Sequence, residues 1–125
     1  MGCDIHGWVE VKVGDKDIAV KEIKDSSRNY TRFSAMAGVR RRDDGVTLSP
    51  LGIPEDVSDT AKYDIDYWGT DGHSHSYMPL KEAADIFLAT ARNPPAYAKI
   101  YPASEFFDFD EDDIDKARLV FWVDN

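Results

Sequence analysis

Residues 3–13 alternate between apolar and polar side chains, and this period restricts the fold more than any other feature. From Cys3 to Val13 an apolar or small residue occupies every second position. Because successive side chains of a strand point to opposite faces, the pattern predicts a half-buried β-strand. The turn residues Gly14–Asp17 and the apolar stretch Ile18–Ile23 then predict a returning strand, and hence a β-hairpin.

Two further segments have the period of helices. In Arg28–Val39 apolar residues recur at helical spacing, and Gly38 predicts an end in the left-handed conformation. In Pro79–Arg92 a longer apolar stripe follows a proline that suits the first helical position. Lys116–Val123 is rich in β-branched and aromatic residues, which predicts another strand.

The other segments lack a regular pattern. Prolines and glycines between Val46 and Tyr67 predict a long irregular connection, with one helical turn after Ser58. The glycines of Trp68–Tyr77 predict a loop, and six acidic residues out of eight in Asp108–Asp115 predict a solvated turn. We therefore expect a single α+β domain over residues 1–125, with a small, mostly antiparallel sheet and two or three short helices.

Composition limits the functional classes. The chain has 24 Asp and Glu against 15 Lys and Arg, which gives a net charge of -9. This surplus of acids disfavours long nucleic acids and anionic membrane surfaces as partners. The chain has no apolar run as long as a membrane span, and one cysteine cannot form an internal disulfide. We expect a soluble, cytoplasmic protein.

All three histidines and the only cysteine lie in two short clusters, of which the first is at the start of the predicted strand. Asp4 and His6 are two residues apart, so they share the polar face of that strand with Trp8. An Asp-x-His pair offers an oxygen and an imidazole to one divalent metal. Cys3 has the opposite parity and is expected in the core. The alternative is a solvated or structural histidine.

The second cluster is the predicted loop Trp68–Tyr77. His73 and His75 have a ligand spacing that is seen in metal hydrolases, and Asp71 could be a ligand or orient an imidazole. The loop leads into the predicted helix at Pro79, so backbone N–H groups and the hydroxyl of Ser74 could hold an anion. The alternative is a polar turn whose side chains cap backbone groups.

If the loop folds over the polar face of the first strand, the two clusters form one site. The predicted ligands of a Zn²⁺, Mn²⁺ or Mg²⁺ ion are then Asp4, His6, Asp71, His73 and His75. Such an ion activates bound water and polarises a phosphoryl oxygen. His6, His73 and Asp71 are also the predicted acid–base groups near neutral pH. The alternative is that both clusters are purely structural.

Arginines form the third candidate. Arg28 and Arg32 are neighbours on the predicted helix by i, i+4 spacing, and Arg40 follows the helix end. In an acidic protein such a local cationic patch could hold a phosphate or a carboxylate through bidentate contacts. The alternative is a set of ordinary surface ion pairs.

Several stretches resemble a family of small proteins of tailed bacteriophages and prophages that begin with MGCDIH. The similar stretches are Met1–His6, Arg28–Phe33, Ala37–Arg40, Gly52–Ser58, Trp68–Ser74 and Val120–Asn125. The family has no established activity. The resemblance therefore implies a phage origin, a location in the bacterial host cell and the importance of these segments.

Two functional hypotheses follow. In the first, a His/Asp/Arg pocket binds, and with a divalent metal hydrolyses, a phosphorylated small molecule such as a nucleotide. Trp8 or Trp68 would stack on its base, while Arg28, Arg40 and Ser74 would hold the anion. In the second, the protein is a non-catalytic phage accessory factor that sequesters a host signalling nucleotide or binds a host protein. The residues leave enzyme and binder open, and also a homo-oligomer.

Overall fold

The protein is described here by a computed structural model that covers residues 2–39 and 47–124. Within these ranges the strands are β1 (Ile5–Val13), β2 (Lys16–Glu22), β3 (Gly72–Pro79) and β4 (Ala117–Asp124). They form one sheet in the order β2-β1-β4-β3, and all neighbours are antiparallel. The predicted α+β class with an antiparallel sheet is confirmed.

Four α-helices accompany the sheet in the described ranges. They are α1 (Tyr30–Ala37), α2 (Asp59–Trp68), α3 (Leu80–Thr90) and α4 (Pro102–Phe107). Short 3-10 turns occupy Gly69–Asp71, Ala96–Lys99 and Glu111–Lys116. None of the helices described is long and apolar enough to cross a membrane.

The elements predicted from periodicity are present with small changes of boundary. β1 and β2 form the predicted hairpin, and α3 covers most of the predicted second helix. The side chain of Asn29 accepts a hydrogen bond from the N–H of Arg32 and caps α1 at its N-terminus. Gly38 ends α1 with φ of 68°, in the left-handed conformation that was predicted.

One face of the sheet carries the main apolar core, because α1, α3 and α4 pack against it. Phe33, Phe87 and Phe107 from these helices are buried, and so are the strand residues Val9 and Phe121. Cys3 is buried in the same core, on the side that its parity predicts.

Gly7 lies in β1, opposite Phe121 of the neighbouring strand β4. A Cβ there would lie 2.5 Å from the carbonyl oxygen of Val120 and 2.9 Å from the side chains of Ile23 and Phe121. The close approach of β1 to β4 therefore requires a residue without a side chain at this position.

Helix α2 covers the opposite face, where the sequence predicts a polar surface. Ala61 and Ile65 of α2 are buried, and the indole N–H of Trp8 donates to Asp64 at 3.0 Å. Trp122 of β4 is completely buried on this side. The central strands are therefore covered on both faces rather than on one.

Two predicted connections turn out to be regular elements. The segment after Ser58 is a ten-residue helix, α2, rather than one turn, and the hydroxyl of Ser58 caps it by accepting from the N–H of Ala61. The predicted loop Trp68–Tyr77 contains the edge strand β3, which pairs with β4. Its pattern is hidden because a bulge between His73 and Ser76 interrupts the alternation. The acidic stretch Asp108–Asp115 includes a 3-10 turn, and α4 was not predicted.

The predicted arginine pair does not form on a helix. Arg28 precedes α1, whereas Arg32 lies inside it with a side chain only 2% exposed. The guanidinium of Arg32 donates to Thr90 Oγ1 at 2.9 Å and to the carbonyl of Phe87 at 3.0 Å, and it contacts Asp25 at 3.3 Å. It also lies 4.0 Å from the centre of the Phe87 ring. Arg32 is thus a core residue that joins α1 to α3.

We predict that Arg32→Lys destabilises the fold, whereas Arg28→Lys changes its stability little. A lysine cannot reproduce the planar set of donors at a buried site, so the first change should cost about 2–3 kcal/mol. Arg28 is exposed, and exposed ion pairs contribute little. Urea unfolding of both variants measures the difference, with an unchanged m-value as the control for two-state behaviour. Equal, small effects would contradict a core role for Arg32.

Candidate functional site

A cavity of about 260 Å³ opens at the N-terminal end of β1. β1 supplies one wall, and the ends of β2, α2 and β4 supply the others. The cavity is lined by Asp4, Ile5, His6, Gly7, Glu22, Ile23, Ser26, Trp68 and Asp124. Three of the predicted site residues, Asp4, His6 and Trp68, therefore meet in one place.

His6 is fixed in this cavity by a carboxylate and by two aromatic rings. Its Nε2 lies 2.8 Å from Oδ2 of Asp124, while the other oxygen of Asp124 accepts from the N–H of Asp4 at 3.1 Å. The imidazole packs 4.3 Å from the ring of Trp68 and 6.0 Å from that of Trp122, centre to centre. With Asp124 ionised, Nε2 of a neutral His6 carries the proton, so Nδ1 is the proton acceptor. A carboxylate that orients an imidazole in this way suits acid–base chemistry.

Asp4 forms a bidentate ion pair with Arg28 at the rim of the cavity. Arg28 Nε lies 2.7 Å from Oδ1 of Asp4, and its Nη2 lies 3.2 Å from Oδ2. This hydrogen bonding holds the pKa of Asp4 below its usual value, and the slight burial of Asp4 opposes the effect. A side chain at Gly2 would overlap the guanidinium of Arg28, so the absence of a Cβ there leaves room for the pair.

The two tryptophans that were predicted to stack on a ligand have different positions. Trp68 lines the cavity beside His6. Trp8 is absent from the lining and is held under α2 by its hydrogen bond to Asp64. Only Trp68 is therefore placed to contact a molecule in this cavity.

The second histidine cluster lies on the edge strand β3, which β4 separates from β1 and from this cavity. The ring of His75 packs 6.3 Å from that of Trp122, which also contacts His6 on β1. β4 lies between β1 and β3, and neighbouring strands are about 4.8 Å apart. Trp122 of β4 therefore lies between His6 of β1 and His75 of β3. His73 pairs with Val123, whose side chain belongs to the main core, so the register assigns it to the other side of the sheet.

The remaining residues of this cluster make local contacts. Ser74 occupies the bulge with φ of 57°, and its hydroxyl lies 2.9 Å from Nδ1 of His73. Asp71 is exposed in the 3-10 turn before β3. Among the residues that the structure describes, the buried Nε2 atoms of His73 and His75 have no hydrogen-bond partner. Gly72 lies under Trp122 and Trp68, where an added Cβ would be 3.2 Å and 3.4 Å from their atoms.

The predicted set of metal ligands does not assemble. In residues 2–39 and 47–124, no group of three or more His, Cys, Asp or Glu side chains is arranged so that it could hold a metal ion. Arg28 occupies both oxygens of Asp4, Trp122 lies between His6 and His75, and the register assigns His73 to the other side of the sheet. The described residues therefore do not fit a metal centre that joins the two clusters.

The predicted cationic patch is also not formed by the residues described. Arg28 is paired with Asp4, Arg32 lies in the core, and Arg40 is outside the described residues. Besides Asp4, the cavity is lined by two further carboxylates, Glu22 and Asp124. Neither of these two was predicted, because an isolated acid at the end of a strand gives no sign of the side chains that it meets.

A comparison of this chain with protein-family models, with curated proteins and with solved structures finds no match.

The buried position of His75 leads to a pH-dependent stability. Burial, with a smaller contribution from His73, lowers the pKa of His75 in the folded state. As the pH falls below about 6.5, the unfolded chain takes up this proton more readily than the folded one, so stability is lost. We predict that the melting temperature falls between about pH 6.5 and pH 5 and that His75→Gln reduces this fall. An identical pH profile in the variant would show that His75 does not contribute.

Proposed function

We propose that the protein binds a nucleotide or nucleoside, with the base in the cavity beside Trp68 and His6. The observation that carries this proposal is the convergence of the His6 and Trp68 rings, whose centres are 4.3 Å apart, and the carboxylate of Asp4 in one cavity of about 260 Å³. Aromatic side chains bind bases through stacking, which does not depend on a particular sequence or charge.

The charges of the cavity favour a base over a bare phosphate inside it. Asp4, Glu22 and Asp124 line the cavity, and a phosphate among three carboxylates would be repelled. Carboxylates accept hydrogen bonds from the exocyclic amino groups of adenine, cytosine and guanine. A cavity of this size holds one ring system, so the sugar and phosphates would extend out of the cavity into solvent.

The biological setting is part of the same proposal. If the similarity to phage proteins reflects common descent, the ligand is a nucleotide of the bacterial host, and binding takes place in the host cytoplasm. The protein then acts as an accessory factor that sequesters this nucleotide.

We predict that nucleosides with an amino group on the base raise the melting temperature, whereas inorganic phosphate does not. Trp68→Leu should weaken binding by about tenfold, because stacking on an aromatic side chain contributes about 1–3 kcal/mol per base. Tyr63→Leu is the matched control, since Tyr63 is an aromatic residue of the same helix that is 78% exposed and does not line the cavity. Isothermal titration of each variant with adenosine, cytidine, guanosine and their monophosphates gives the affinities. Binding of phosphate alone, or equal affinity in Trp68→Leu, would contradict the proposal.

A second candidate function, hydrolysis of the bound nucleotide, is favoured by the His6–Asp124 pair. Asp124 holds the imidazole at 2.8 Å and leaves Nδ1 to take a proton from water. This mechanism requires the opposite orientation of the nucleotide, with a cation-neutralised phosphate rather than the base beside His6. Nδ1 then accepts the proton while the water oxygen attacks phosphorus, and the leaving oxygen departs with the electron pair of the bond that breaks.

We predict that any turnover falls by about 10²–10⁴-fold in His6→Asn, because this is the usual contribution of a general base. The measurement is phosphate release from each nucleotide that binds, with and without Mg²⁺, Mn²⁺ or Zn²⁺. His73→Asn is the control, since the register assigns His73 to the other side of the sheet. Binding without turnover in the wild type would identify a sequestering protein, and full activity in His6→Asn would exclude His6 as the base.

A further inference from the structure

A second and larger cavity, of about 540 Å³, lies beside the other end of the sheet. β3 and β4 form its floor, α1 contributes Met36, and the segment 48–51 forms an outer wall. That wall is attached on both sides. The N–H of Leu48 donates to the carbonyl of Ala35 at 3.0 Å, and the N–H of Leu51 donates to Ser76 Oγ at 3.0 Å. The cavity is thus part of the folded structure and needs no rearrangement to form.

The wall of this cavity is apolar and adaptable. Met36 and Met78 are buried at its base, while Leu48 and Leu51 are exposed at its opening. Leu51 is 65% exposed, so its side chain is accessible to a ligand at the opening. Methionine side chains are flexible and fit ligands of varied shape, so this wall suits an aliphatic or aromatic group.

The cations that line the cavity are already neutralised by the protein. Arg118 contacts Glu10 at 2.7 Å and Asp56 at 2.9 Å. Lys12 contacts Asp17 at 3.3 Å. These cations are therefore not available to hold an anionic ligand.

The third lining cation, Lys116, contacts Asp113 at 3.4 Å. Two of the lining carboxylates, in contrast, lack such partners. Glu82 in the first turn of α3 and Asp115 in the neighbouring 3-10 turn both line the cavity. Within the ranges that the structure describes, neither of them makes an ion pair. The elements that carry them pack against each other, so their charges add at one side of the cavity.

We infer that this second cavity binds an organic cation that has an apolar body, such as an alkyl or aryl amine. The body lies against Met36, Met78 and Leu51, where it removes apolar surface from water. The ammonium group lies toward Glu82 and Asp115, which supply the charge that it needs. This site is separate from the proposed nucleotide cavity, and none of its residues lines both.

A matched series of probes tests the inference. Hexylamine, hexanol and hexanoate share one apolar body and differ in the charge of the head group. Titration followed by NMR chemical shifts on the intact wild-type protein should give affinities in the order hexylamine, hexanol, hexanoate. We expect about a tenfold difference between the amine and the carboxylate. Hexanoate that binds as well as hexylamine would overturn the inference, and so would the absence of binding by hexylamine.

Variants of exposed residues separate the two parts of the site. In the double variant Glu82→Gln, Asp115→Asn, the preference for hexylamine over hexanol should disappear, whereas hexanol binding stays the same. Leu51→Ser should weaken all three probes. The double variant Asp59→Asn, Asp66→Asn removes two exposed acids of α2 outside the cavity and is the control for the same change of net charge. A preference for the amine that survives in the Glu82→Gln, Asp115→Asn variant would refute the role of the two carboxylates.

Trp68→Leu should leave hexylamine binding unchanged, so a failure of the nucleotide proposal is distinguishable from a failure of this one.

Discussion

The pairing of β1 with β4 determines the rest of the structure, because these two strands form the centre of the sheet. The pairing runs from Ile5↔Val123 to Val11↔Ala117, and β2 and β3 attach only to its outer edges. It also creates two groups of polar contacts on the side of the sheet that α2 covers, of which the one at Glu10 is buried. At one end His6 meets Asp124, and at the other the buried carboxylate of Glu10 meets Arg118 and the backbone N–H of Ser58. A buried carboxylate is tolerated only with such partners, so the register of β1 and β4 is fixed by polar as well as apolar contacts.

An element could be predicted from the sequence where its buried side chains recur every second residue, as in a strand, or every three to four residues, as in a helix. β1 and α3 each show that period in the side chains that they bury, whereas β2 was predicted from the turn residues that precede it. α2 buries only Ala61 and Ile65 in ten residues, so its stripe is too narrow to stand out. β3 could not be recognised because the bulge at Ser74 breaks its alternation and its partner is distant in the sequence. α4 has six residues, too few for a helical period to be seen.

The candidate site was predictable only in part, for a similar reason. Asp4, His6 and Trp68 are chemically distinctive residues in short motifs, and they do share a cavity. Asp124, which orients His6, was not predictable because its position depends on the register of two strands more than a hundred residues apart. The expectation of one metal centre depended on a loop that could fold over β1. The segment is instead the edge strand β3, and the buried Trp122 lies between His75 of this strand and His6.

The central position of β4 also affects how the protein is made on the ribosome. Until β4 has been synthesised, β1 can pair only with β2, and an isolated two-stranded hairpin is marginally stable in water. At about 5–20 residues per second, the roughly one hundred residues that separate β1 from β4 take some 5–20 seconds to add. During this time the inner edge of β1 and the apolar faces of α1 and α3 lack their partner. The nascent chain therefore folds later than a protein of this size whose sheet forms from strands that are neighbours in the sequence. It also exposes apolar surface to chaperones for longer.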